Sequence, residues 1–128
     1  MFYNSSLLGK DSPNLSYEQA VFAREKDRGL PLIEIVKKYK PTILLGLTAF
    51  GGLFNERLIT TMIKGCERPI IFALSNPTTV AECTAEQAYE WTDGKCIFAS
   101  GSPFNPVEYK GQTFHPSQCN NSKFILFF

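Results

Sequence analysis

The chain has 128 residues, 44% of them hydrophobic, enough for one domain with a buried core and too few for a second full domain. Thirteen basic residues stand against twelve acidic ones, a formal charge of +1, and neither sign forms a long run, so nothing marks a nucleic-acid or membrane-surface binder. The most apolar stretch, around residues 43–47, falls far short of the roughly 20 residues that a membrane span requires.

Residues 1–28 are polar and broken by Gly9 and Pro13, and they read as a lead-in with a short helix near 17–25. Residues 29–128 carry the domain pattern. A helix is predicted over 30–39, with Leu32, Ile33 and Val36 at helical spacing and Pro31 in the first turn. Pro41 stops it, and 42–47 follows as a short apolar strand. The glycine-containing loop 48–54 leads to Asn55, an N-cap for a helix over 56–64 whose stripe is Leu58, Ile59, Met62 and Ile63.

Residues 69–74 are apolar and β-branched, the pattern of a strand covered on both faces, and break at once into Ser75, Asn76, Pro77 and Thr78. Thr84 and Gln87 form a capping box for a helix to about Trp91. Asp93-Gly94 is a turn, and 95–100 reads as a third strand. Strands alternating with crossover helices imply parallel pairing, hence an α/β fold with a parallel Rossmann-like sheet, flanking helices and an incomplete set of strands. Ligands bind such sheets outside the carboxyl ends of the strands, where loops 48–54, 75–83 and 100–106 converge. Residues 107–114 are either a small hairpin or an irregular loop. The apolar ending 124–128 predicts a chain cut short of its natural finish.

Each candidate site residue has a structural alternative. Gly51 and Gly52 either let a ligand approach the backbone or permit tight packing. Asn76 either offers its amide to the hydroxyl and carbonyl of a ligand or caps its own turn. Asn120-Asn121 has the same chemistry in a weaker context. His115 has no second histidine or evident carboxylate to orient it as a base. Glu82 and Glu86 sit beside a helix start, where the helix dipole favours acids. Cys66, Cys83, Cys96 and Cys119 form no C-x-x-C pair and read as reduced structural thiols.

Four segments, 40–52, 67–78, 81–89 and 97–104, together give the chain a strong resemblance to the malic enzymes. The match lies in the later part of the family's dinucleotide-binding domain. The resemblance implies oxidative decarboxylation of (S)-malate to pyruvate with NAD or NADP and Mg or Mn, in a homo-oligomer. It also implies that Asn76 and Asn120 orient malate, with Asn76, Gly51 and Gly52 near the cofactor. Ser117 and Cys119 stand where the family's second asparagine motif has glycines. The family's catalytic tyrosine and lysine and its metal-binding carboxylates have no counterpart here. The expectation is therefore a fragment that is inactive alone, or a truncated product acting as a subunit-interaction piece. Its expected location is cytoplasmic, with the mitochondrion as the alternative.

Overall fold

The computed structural model describes residues 2–3, 6–7, 9–12, 14–23 and 25–119, so Asn120, Asn121 and the apolar ending lie outside the described residues. Chain contacts divide it into two compact units, Met1–Lys40 and Pro41–Phe128.

In the first unit, β1 (Phe2–Tyr3) and β2 (Ser6–Leu7) pair antiparallel. Helix α1 (Tyr17–Phe22) starts at Ser16, whose hydroxyl accepts from the Gln19 amide while the Gln19 side chain returns to the Ser16 backbone. It is shorter than the predicted 17–25, because Ala23 is already extended. Helix α2 (Leu32–Tyr39) has Pro31 at its N-cap and ends on Lys40 in the left-handed region, so the chain turns one residue before Pro41. Its buried face is Leu32, Ile35 and Val36, with Ile33 only half-buried.

The second unit is built on a parallel sheet. Strands β3 (Ile43–Gly46), β4 (Ile70–Ala73) and β5 (Ile97–Ser100) pair in order, with Leu44, Ile71 and Phe98 in one row and Gly46, Ala73 and Ser100 in another. Between them run α3 (Glu56–Ile63), capped by the Asn55 side chain on the Leu58 amide, and α4 (Ala85–Trp91), opened by the Thr84–Gln87 capping box. Right-handed crossovers between adjacent strands laid down in order put both helices on one face of the sheet. That face is the core, where Leu58, Ile59, Met62, Ala85 and Ala88 of the helices and Leu44, Ile71 and Phe98 of the strands are all buried.

Here β4 departs from the expected strand without a solvent face: Ile71 and Ala73 are buried, whereas Ile70 and Phe72 are half-exposed. The opposite face of the sheet also leaves Ile43, Leu45, Leu47 and Ile97 exposed, because no helix among the described residues of this unit crosses it. Apolar composition alone cannot distinguish a strand covered twice from one covered once.

Residues 107–114 form a hairpin, β6 (Val107–Tyr109) with β7 (Gln112–Phe114), turned by Lys110 and Gly111, both at positive φ as a tight hairpin turn requires. Phe114 stacks on Tyr89 of α4 with ring centroids 4.4 Å apart, and Lys110 pairs with Asp93. The hairpin is thereby tied to the α4–β5 turn. A two-residue strand, β8 (Ser117–Gln118), then adds parallel to β5. No sequence pattern announced it, since Ser-Gln carries no apolar alternation. Among the described residues no helix is long and apolar enough to cross a membrane.

Ile71 is fully buried at the centre of the ladder, so Ile71→Ala should cost about 2–5 kcal/mol of unfolding free energy. Leu45→Ala on the open face, where the side chain is 55% exposed, should cost no more than about 0.5–1 kcal/mol, both losses being read by urea titration. Equal losses would show that the open face is covered in solution.

Candidate functional site

Because the three long strands are parallel and in register, their carboxyl ends deliver three loops to one edge: 47–55, 74–84 and 101–106. The loops bind one another. Leu74 donates to the Gly46 carbonyl at 2.9 Å and Gly101 to the Ala73 carbonyl at 3.0 Å, which carries the ladder to the brink of the loops.

Asn76 is exposed at the end of the central strand. The Ser102 hydroxyl donates to its Oδ1, so the amide is anchored to the loop after β5 and its Nδ2 keeps hydrogens to donate. Gly101 makes this approach possible: a Cβ there would stand 2.2 Å from the Leu74 carbonyl oxygen and 2.9 Å from Asn76 Nδ2. The Asn76–Pro77 peptide is cis, and residues Thr78–Val80 form a single 3-10 turn.

Gly51 and Gly52 lie at the exposed tip of the first loop. A Cβ on Gly51 would come within 3.1 Å of the Thr79 carbonyl oxygen, a tight contact that favours glycine here without requiring it. Gly52 has φ +75 and open space where a Cβ would be, so its backbone is reachable from outside. The Gly52 amide donates to the Ala81 carbonyl at 3.3 Å and the Phe54 amide to the Glu82 carbonyl at 3.0 Å, stitching this loop along residues 79–82.

Glu82 differs most from the sequence reading. Glu86 occupies the first turn of α4, as expected of an acid at a helix start. Glu82 instead is completely buried beneath the loops. Its Oε1 accepts from the Thr48 amide at 2.9 Å, the Thr48 hydroxyl at 2.7 Å and the Ser75 hydroxyl at 2.6 Å, and its Oε2 from the Ser75 amide at 3.4 Å. The Ser75 oxygen in turn accepts from the Ala49 amide at 2.8 Å. Gly46 leaves the room: a Cβ there would be 2.4 Å from Glu82 Cδ. The sequence clue was indirect, an acid between two apolar residues, Ala81 and Cys83, both buried.

His115 is not at this edge. With Arg68, Lys95 and Phe114 it lines a cleft of about 710 Å³ at the amino ends of β4 and β5. The described residues contain no group of three His, Cys, Asp or Glu able to hold a metal ion. Burial, with the neighbouring Cys96 thiol and the Glu82 carboxylate, pushes the Cys83 thiol above its ordinary range, and burial also raises Cys96.

A parallel sheet with crossover helices and loops gathered at its carboxyl edge defines an α/β domain of the Rossmann-like class. Sequence comparison narrows this: the family model described as malic enzyme, NAD binding domain, matches residues 1–126. An NADP-dependent malic enzyme of Dictyostelium discoideum is 66% identical over 90 residues, 70% of this chain and 16% of that protein. A hydrogenosomal malic enzyme of Neocallimastix frontalis is 52% identical over 123 residues, 95% of this chain and 21% of that protein. An NADP-dependent malic enzyme of Homo sapiens is 50% identical over 120 residues, 93% of this chain and 21% of that protein. The chain belongs to the malic enzyme family, in its nucleotide-cofactor domain, and these matches span at most 21% of the relatives' length.

Thiol chemistry separates the cysteines. At about pH 8 iodoacetamide should modify Cys66 and Cys119, which are half-exposed, and leave Cys83 and Cys96 intact until denaturant is added, as read by mass spectrometry. Labelling of native Cys83 as fast as Cys66 would contradict the packing described.

Proposed function

We propose that this chain forms part of the cofactor domain of an enzyme that oxidatively decarboxylates (S)-malate to pyruvate and CO2, using NADP or NAD and a divalent metal. Within that domain it orients malate through Asn76 and Asn120 and offers the backbone at Gly51 and Gly52 to the cofactor. The observation that carries the reading is Asn76: an exposed amide at the carboxyl end of the central parallel strand, anchored through Oδ1 by Ser102. In sheets of this type that position faces the bound ligand.

The cofactor would supply a hydride acceptor for malate C2. Asn76 would supply alignment only, since an amide neither takes nor gives a proton at neutral pH; two Nδ2 hydrogens can hold a substrate hydroxyl or carboxylate in place. Gly52, with open space outside its backbone, leaves room for a cofactor to lie close. The described residues do not fit the divalent metal, Mg or Mn, because no cluster of suitable side chains forms among them. On this reading the metal is held by groups other than the described residues. NADP is favoured over NAD by the relatives named as NADP-dependent. A homo-oligomer in the cytoplasm completes the reading, with the mitochondrion as the other location.

A second reading is favoured by one observation. Ile43, Leu45, Leu47 and Ile97 leave an apolar sheet face exposed, as suits a catalytically inactive piece that associates with other subunits.

Sequencing the complete transcript around this reading frame would provide the enzyme in which the first reading is tested. In that enzyme Asn76→Ala should lower kcat/KM for malate by roughly 10- to 150-fold, the equivalent of about 1.5–3 kcal/mol for one hydrogen bond to a charged group. Unaltered kcat/KM would remove Asn76 from the substrate site.

A further inference from the structure

We propose that Glu82 is a positioning residue, a buried latch that holds the loop bearing Gly51 and Gly52 in register with the loop bearing Asn76. The inference rests on the reading that these two loops share a ligand.

Loops at the end of a parallel sheet are not held by the ladder, which stops at Gly46 and Ala73. Something else must fix their mutual position. Four donors reach the Glu82 carboxylate, two from Thr48 at the root of one loop and two from Ser75 at the root of the other. Thr48 lies three residues before Gly51, and Ser75 immediately precedes Asn76. The Ala49 amide, on a residue at φ 53, donates to the Ser75 hydroxyl that itself donates to Glu82, so the two roots are also joined directly. Beyond this point the Glu82 carbonyl accepts from Phe54. One residue thus holds the first loop at both ends and the second at its start.

The partners are hydroxyls and amides, and among the described residues no cation pairs with Glu82. Burying a carboxylate without a counter-ion is costly, and such an arrangement persists where its hydrogen bonds are complete. Gly46 carries no side chain, which leaves space for the carboxylate to reach both roots. Glu82 itself is fully buried, so its influence on a ligand is exerted through Thr48, Ser75 and their neighbours.

Amide hydrogen exchange on the 128-residue chain, without ligand, tests the latch. Rates at Thr48 and Ala49 are compared, within each sample, with those at Ile70 and Ile97, whose amides donate to Thr42 and Pro69 in the ladder. Glu82→Gln keeps the volume but places an NH2 where an acceptor is needed; Ser75→Ala removes the second root. Each should raise the ratio by about tenfold or more. The double variant should add little beyond the larger single effect, because both changes open one network. An unchanged ratio, or additive effects, would overturn the latch and leave Glu82 a generic core residue. Should Glu82→Gln fail to fold, Ser75→Ala and Thr48→Val carry the same comparison, and a rise confined to the loops supports the latch while an unchanged ratio overturns it. Since no ligand enters, failure here is separate from failure of Asn76→Ala to affect malate turnover.

Discussion

Parallel pairing of three short strands is the constraint on which the rest of the second unit depends. Parallel strands must all finish at the same edge, and the chain must return along a helix each time, so β3, β4 and β5 bring their trailing loops together whatever those loops contain. The same geometry places α3 and α4 on one face. It builds a core from the row Leu44, Ile71 and Phe98 and leaves Ile43, Leu45 and Ile97 on the other side. Fold and site are consequences of one hydrogen-bond pattern.

What the ladder cannot do is order the loops once the strands end. Polar contacts take over there: Ser102 on Asn76, Thr48 and Ser75 on Glu82, and main-chain bonds from Gly52 and Phe54 to residues 81 and 82. Two glycines, Gly46 and Gly101, are required by this network, because each stands where a Cβ would collide with the group being positioned or the carbonyl beside it. Small residues at the edge of a sheet are readily credited to ligand binding. At these two positions packing of the protein on itself already demands them, and at Gly51 against Thr79 the fit is tight.

The position of the chain within its family explains the mixture of a well-formed edge and an unfinished sheet. It matches the cofactor domain of enzymes several times its length, and the carboxyl edge of its sheet exposes the Asn76 amide and the Gly52 backbone.

Helices and long strands were legible in the sequence because their signals are local: Asn55 and the Thr84–Gln87 pair announce helix starts, and apolar runs at 43–47 and 70–74 announce strands. Family membership was legible too, through motifs such as Ser75-Asn76-Pro77-Thr78. Three things were decided only by tertiary structure. Strand β8 exists because β5 offers an unpaired edge, a property of the neighbour and not of Ser-Gln. The half-exposed face of β4 follows from which side the crossovers take. Glu82, which the local pattern read as an acid at a helix start, is buried because Thr48, 34 residues away, and Ser75 close over it and supply its donors. Local chemistry sets the elements, whereas the environment of a side chain depends on what the fold brings to it from elsewhere in the chain.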